Sequence, residues 1–267
     1  MTDQTTRVRV DKQLEGHWRV TLDHPPINTI DDLMYDELYD LVEAMDAEPS
    51  VKVVTFESAN PDFFLAHYGV GESTSRFGAP PWIETATRLE RSNVLSIAVI
   101  RGRARGGGSE FAQACDLRFA SREKAIFGQP EIGFGMIPGG GALQRLPLLV
   151  GRARALEIVL GADDFDAEIA ERYGWINRAV PDADLDGFVS GFVRRILSFD
   201  GQALATNKAI LNQTGLPDKS QLEQTQTKFF QTLQWPDALA RGAKARELGA
   251  GKAGEYEMNL GKHAAGF

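Results

Sequence analysis

A single cysteine, Cys115, is all the thiol chemistry this 267-residue chain holds. One cysteine cannot close an intrachain disulfide, so a reducing compartment suits the chain. The ordinary role of such a residue is that of a small buried hydrophobe. Histidine is nearly as scarce. His17, His24, His67 and His263 show no ligand spacing, so no metal is expected. Positive charge is short too: 29 Lys and Arg against 37 Asp and Glu leave a formal net charge of −8. That argues against a nucleic-acid or anionic-membrane partner, which would want a basic surface. A small anionic ligand needs only a local basic patch and stays open. No apolar run is long enough to span a bilayer, and none follows the polar start MTDQTTRVRV, so no signal peptide is expected. No serine sits in a G-x-S-x-G elbow, no P-loop lysine follows the glycine runs, and no internal repeat is visible. These absences point to a cytoplasmic enzyme. With 43% hydrophobic and 25% charged residues, the chain has the material for a real core.

The patterning that is present alternates strands and helices. Residues 7–10 and 18–22 alternate around Glu15-Gly16 and predict a hairpin. His24-Pro25-Pro26 breaks the strand, and Asp31 or Asp32 can cap a helix whose stripe is Leu33, Leu38, Leu41, Val42 and Met45. Residues 51–56 read as a buried strand. The segment 63–70 (FFLAHYGV) leads out of a short strand, and 73–81, poor in apolar residues, reads as a mobile surface loop. A helix at 83–91 and a strand at 94–100 follow. Later come helices at 152–160 and 167–173 and a strand at 175–180. From Asp182 onward only helices are predicted, at 185–197, 202–212 and 220–248. A soft boundary near Pro181 therefore separates an α/β core, residues 1–181, from a helical C-terminal region, residues 182–267. Alternating strands and helices suit layered α/β architecture.

Between Val99 and Arg145 lies the stretch that carries chemistry. Three glycines, Gly106, Gly107 and Gly108, follow an apolar strand and open a helix bearing Glu110. Without side chains they let a backbone N–H approach another group closely. At the first turn of a helix such an N–H has no internal partner and carries part of the dipole's positive end. A second carboxylate, Glu131, sits in a loop bracketed by Gly128, Pro130 and Gly133. An exposed amide and two carboxylates are parts for acid–base chemistry on a carbonyl compound.

Gly102, Ala104, Gly106 to Gly108, Glu110, Cys115, Asp116, Phe127 to Glu131, Gly133, Ile137 to Gly139, Gly141 and Gln144 to Leu146 form a combination far more specific than a lone glycine motif. The chain resembles the crotonase superfamily, whose best-known member is enoyl-CoA hydratase; the likeness runs, more weakly, over residues 9–248. The resemblance implies an α/β fold, a crotonase-like ββα superhelix core with a helical C-terminal region, assembled as a homotrimer or a hexamer of two trimers. It implies that the Gly107 backbone N–H is half of an oxyanion hole. The other half comes in relatives from a motif like F-x-A-G-A-D, here Phe64 to Gly69, which makes Tyr68 the donor through its backbone N–H. His67 and Gly69 depart from that motif, one replacing a small residue and the other an acidic residue that helps fix the loop. Glu110 and Glu131 correspond to the two catalytic glutamates that hold one water. Substrate contacts are expected at Ala66, His67, Tyr68, Gly107 and Pro130.

The implied reaction is reversible addition of water to a trans-2-enoyl-CoA, giving a 3-hydroxyacyl-CoA, with coenzyme A entering only as part of the substrate and no separate cofactor. Two rivals stand beside it. An enoyl-CoA isomerase would use Glu131 as its one shuttling base, and a silent acyl-CoA-binding scaffold would owe its silence to the altered loop. His67 either meets an acyl carboxylate or the CoA moiety, or is a spacer ring pointing away. Arg101, Arg103 and Arg105 alternate along one face, as a solvated face or as a reach toward a CoA phosphate. The tail after Leu248 lacks the family's lysine-and-phenylalanine ending, and no CoA contact is assigned to it.

Overall fold

The structure, a computed structural model, describes residues 6–69 and 73–266. The first five residues, Val70 at the end of the expected strand-to-loop exit, and Phe267 lie outside the described residues. The expected hairpin is β1 (Val8–Leu14) paired antiparallel with β2 (His17–Leu22). In α1 (Asp32–Asp46) the cap is Asp31, whose carboxylate accepts the Met34 N–H at 2.9 Å and satisfies an orphan donor of the first turn. Met34, Leu38, Leu41, Val42 and Met45 form its buried stripe, the spacing that turns one helical face to a core.

One unit then repeats three times. It runs β3 (Val53–Ser58), β4 (Phe63–Leu65), α2 (Trp82–Arg91). Next come β5 (Leu95–Ile100), β6 (Arg103–Arg105) and α3 (Gly107–Ala114). The third turn is β7 (Leu117–Ser121), β8 (Ile126–Gly128), a 3-10 turn at Glu131–Phe134 and α4 (Ala142–Val150). After it come α5 (Arg152–Gly161), β9 (Asp164–Asp166), α6 (Ala167–Tyr173) and β10 (Arg178–Val180). The first strand of every turn joins a six-stranded sheet of order β1-β2-β3-β5-β7-β10; the second joins a four-stranded sheet of order β4-β6-β8-β9. Neighbouring turns pair in parallel in both sheets. This is the ββα superhelix.

The large sheet is covered on both faces, which is why β5 reads as an apolar run broken only by buried Ser96. Ile97 and Val99 pack with Val53, Phe119 and Leu185, Val189 and Val193 of α7 (Asp182–Leu197). Ala98 and Ile100 point the other way, into the main core with Val54, Phe56 and the stripes of α1, α2 and α3.

Beyond α7 come α8 (Gly201–Gly215), α9 (Lys219–Thr232), α10 (Pro236–Leu248), α11 (Glu255–Met258) and α12 (Leu260–Ala264). The helix expected over 220–248 is therefore two helices: Pro236 opens the second at its first turn, where a missing N–H costs nothing. The strand expected over 175–180 is only its last three residues. The segment 73–81 is held, not loose. Ser75 is buried, and its N–H and hydroxyl are bound to Asp32 and Asp36 of α1.

Candidate active site

Helix α3 starts where β6 ends, and its glycines let it come that close. Gly106 has φ 48° and ψ −124°, a backbone open to glycine. A Cβ on Gly108 would stand 2.1 Å from the Leu65 carbonyl oxygen, so any side chain there would push α3 off β4. A Cβ on Gly107 would lie 3.1 Å from the Tyr68 nitrogen, which sets these two peptides face to face. Tyr68 forms an isolated parallel bridge with Ile30. In it the Ile30 N–H donates to His67 O and the Gly69 N–H to Ile30 O, each at 2.9 Å. Successive N–H groups of extended chain point to opposite sides, so the Tyr68 N–H is turned away from Ile30 and toward Gly107. Both amides border a cavity of about 520 Å³.

Glu110 and Glu131 line the same cavity, and both are buried. Glu110 Oε1 accepts the N–H of Gly140 at 2.7 Å and of Ala142 at 3.0 Å. The Gly140 peptide is itself clamped, its carbonyl accepting Trp82 Nε1 at 2.8 Å and Arg145 Nη1 at 2.9 Å. Arg145 is in turn paired with buried Glu90 at 2.6 Å. Burial raises Glu110 above the usual carboxylate range, and the Ala142 and Gly140 N–H groups and the Arg145 charge offset only part of that rise. Glu131 has less support. Gln129 donates to Oε1 at 3.0 Å, and Oε2 is buried without a partner among the described residues. Burial, followed by the charge on Glu110, pushes Glu131 up to about 8.

The side of the cavity around residue 68 comes from distant parts of the chain. The Tyr68 hydroxyl donates to Asp32 Oδ1 at 2.9 Å. Burial would raise Asp32, but its donors, Ser73 and Thr74 foremost and then Tyr68 and Ser75, hold it below the usual carboxylate range. His67 lines the cavity, with Nε2 3.1 Å from Glu257 Oε1 and Nδ1 3.2 Å from Tyr68 O. Both partners are acceptors, a setting that favours the doubly protonated ring. Burial would lower His67, and the Glu257 carboxylate outweighs it and raises it. Glu257 is fully buried and also accepts the Gly251 N–H at 2.7 Å.

Of the residues expected at the site, Glu110, Glu131, Tyr68, Gly107, His67 and Pro130 border one cavity. Ala66 stands behind that wall, buried with Ile27 and Phe63. His67 is not a spacer ring pointing away; it lines the cavity and its ring is already engaged by Glu257. None of the three arginines lines the cavity, and each is engaged within the protein. Arg101 pairs with Asp182 and Asp186, and Arg103 donates to the Met258 carbonyl. Buried Arg105 holds Asp164 and the Glu257 carbonyl. Asp32 reads in the sequence only as a possible helix cap, a place that Asp31 takes, and no site role is legible there for Trp82, Gly140, Arg145 or Glu257. Only Gln144 to Leu146 carried a signal, and it named Arg145 without saying what it clamps.

The geometry can be compared with known proteins. The family model described as enoyl-CoA hydratase/isomerase matches residues 14–247. A crotonyl-CoA hydratase of Syntrophomonas wolfei is 33% identical over 183 residues, covering 66% of this chain and 70% of that protein. A short-chain-enoyl-CoA hydratase of Clostridium acetobutylicum is 38% identical over 126 residues, 47% of this chain and 48% of its own. Among solved structures, a candidate enoyl-CoA hydratase from Streptomyces avermitilis superposes with a TM-score of 0.92 at 38% identity, covering 100% of this chain and 99% of that one. A match across nearly the whole superhelix, with paired amides and two buried carboxylates in one cavity, leads to one statement: this chain belongs to the enoyl-CoA hydratase/isomerase family.

Proposed function

We propose that the protein adds water reversibly to a trans-2-enoyl-CoA, giving the 3-hydroxyacyl-CoA. One observation carries this reading: two buried carboxylates with unequal hydrogen bonding face one cavity beside two backbone amides turned toward each other. The thioester oxygen accepts the N–H groups of Tyr68 and Gly107. Glu110, its charge supported by two amides, takes a proton from water as the water oxygen bonds to C3. The C2–C3 π electrons shift toward the thioester, and charge builds on its oxygen. Donors already aimed at that oxygen need not reorganise, and each is typically worth about 3 kcal/mol. Protonated Glu131 then gives its proton to C2. One carboxyl ends with an extra proton and the other without one, and exchange through solvent on product release restores the pair. Two groups of one residue type thus serve as base and acid because their surroundings differ.

The names of the relatives point the same way, as does exposed Arg246 on the cavity wall, a cation suited to an anionic carrier. Every group the mechanism uses is a side chain or a backbone amide, so it calls on no metal and no cofactor beyond the CoA of the substrate. Retention of both carboxylates favours hydration over isomerisation by one base. The test is a panel of enoyl-CoAs followed by loss of the conjugated thioester's ultraviolet absorbance. Activity on at least one member is expected, and binding without turnover across the panel would hand the reading to a silent acyl-CoA scaffold.

The assembly belongs to the same reading. The 15-residue α8 has no buried residue, and its Ile210 and Leu211 are 59% and 72% exposed. Apolar surface of that kind seeks a cover, and a homotrimer or hexamer supplies it. Sedimentation should show that mass; a monomer at micromolar concentration would refute it. The single buried thiol fits residence in the cytoplasm, and no helix among the described residues is long and apolar enough to cross a membrane.

A further inference from the structure

The Tyr68 amide is useful only if its peptide is held with the N–H toward Gly107. The bridge to Ile30 fixes one edge of that segment. The next residue, Gly69, has no side chain with which to fix anything. The anchoring falls to the phenol of Tyr68 itself, which donates to Asp32 Oδ1 at 2.9 Å while its ring leans on Tyr35 with centroids 5.5 Å apart. Asp32 holds more than Tyr68. Its Oδ2 accepts the Ser73 hydroxyl at 2.7 Å, the Thr74 N–H at 2.7 Å and the Ser75 N–H at 3.2 Å. Four residues along α1, Asp36 accepts the Ser75 hydroxyl at 2.6 Å and the Arg76 N–H at 2.9 Å. Four further on, Asp40 pairs with Arg76. A spacing of four places all three carboxylates on one helical face. The first rung stands on a capped helix end, and supports on a rigid element hold a site more precisely than loop supports do.

We infer that Asp32 is a positioning residue of the oxyanion hole, acting through the Tyr68 hydroxyl and through chain residues 73–76. This rests on the reading of the Tyr68 amide as an oxyanion donor. A carboxylate that receives Tyr68 and the following segment at one point locks both to α1. The thioester oxygen then meets an amide that has no freedom to turn away as charge develops.

The test uses the full chain, with cinnamoyl-CoA as a bound probe whose absorbance moves to the red when its carbonyl is polarised. Tyr68→Phe removes only the hydroxyl and keeps the amide and the ring; Asp32→Ala removes the whole anchor. Both should lower kcat by about tenfold, the scale of one hydrogen bond to a charged group, with KM within about twofold. Both should also shrink the red shift of the bound probe. Asp40→Asn, which breaks only the exposed rung, should match the wild type in both readings. If Asp32→Ala fails to fold, Tyr68→Phe decides alone. Folded Tyr68→Phe with wild-type kcat and a full red shift would overturn the inference. A defect confined to KM would do so as well, as would a loss in Tyr68→Phe that folded Asp32→Ala does not share. A wild type that leaves the probe unpolarised overturns the inference whatever it hydrates. If instead the wild type polarises the probe but hydrates nothing, the hydratase reading falls and the red shifts of the variants still decide the role of Asp32.

Discussion

Two carboxylates face each other across one cavity in unlike settings. Glu110 stands on a helix, with two backbone N–H groups on one oxygen and the Arg145 charge behind the loop that supplies them. Glu131 stands on a single 3-10 turn, with one donor on one oxygen and none on the other among the described residues. Both are buried, so neither ionises freely. A hydrogen bond to a charged group is worth about 1.5–3 kcal/mol, and two of them serve Glu110. In the proposed mechanism this difference in support makes Glu110 the carboxylate that carries charge and Glu131 the one that keeps its proton. Catalysis needs the two to be unequal, and unequal hydrogen bonding makes them so.

The comparison breaks most sharply when either member is neutralised. Glu110→Gln and Glu131→Gln are each expected to lower kcat by about a thousandfold, within the range for one positioned acid or base. The double variant should be little worse than the poorer single variant, because the two act on one water. Near-normal hydration in both singles would end the two-carboxylate mechanism. If isomerisation survives Glu110→Gln but not Glu131→Gln, the protein is an isomerase.

A smaller loss is expected from Tyr68→Pro, which deletes the proposed oxyanion donor and leaves both carboxylates in place. It should cost about a hundredfold in kcat, with binding of a substrate analogue measured alongside to report on the fold. Gly140→Ala tests the supported side without touching a charge. The added Cβ would stand 2.5 Å from Glu110 Oε2 and 2.8 Å from Trp82 Nε1. Displacing the base in this way should cost about tenfold to a hundredfold, and unchanged kcat would show that the Gly140 clamp does not position it.

Stability against pH tests the same inequality without turnover. The folded chain keeps the Glu131 proton up to about 8, against an ordinary glutamate value of 4.5. Between those values the folded state binds more protons than the unfolded state, so stability falls as pH rises through the window. Glu131→Gln removes that loss. Its melting temperature should gain on the wild type at pH 9 and show no such gain at pH 4. A constant difference across the range would mean that Glu131 titrates normally.

What the sequence disclosed follows from how these contacts are encoded. The stretch from Gly106 to Glu131 was legible because its chemistry is local: glycines where backbones meet, and a carboxylate fixed three residues behind an amide. Alternating strands and helices made the layered α/β architecture legible, while the ββα winding itself came only from the family likeness. Pairings across the chain left no such trace. Asp32 to Tyr68 spans 36 residues and His67 to Glu257 spans 190. Nothing in the sequence singles out the row Asp32, Asp36 and Asp40, and 73–81 reads as a mobile loop for want of apolar residues. Each is explained only by the other, since the carboxylates of the helix are what hold the loop. Arg105 misled in the same way, because in sequence nothing marks an arginine that will be buried against Asp164 and the chain's last helices.

The unequal ionisation of the two carboxylates can be measured by infrared difference spectroscopy at pH 7. The wild type should show the carbonyl stretch of a protonated carboxylic acid. That band should vanish in Glu131→Gln and fade as pH passes about 8. In Glu110→Gln it should persist, because burial is the larger cause, and should titrate away at a lower pH once the neighbouring charge is gone. A wild type with no protonated carboxyl at pH 7, or a band lost in Glu110→Gln and kept in Glu131→Gln, would contradict the assignment of acid and base.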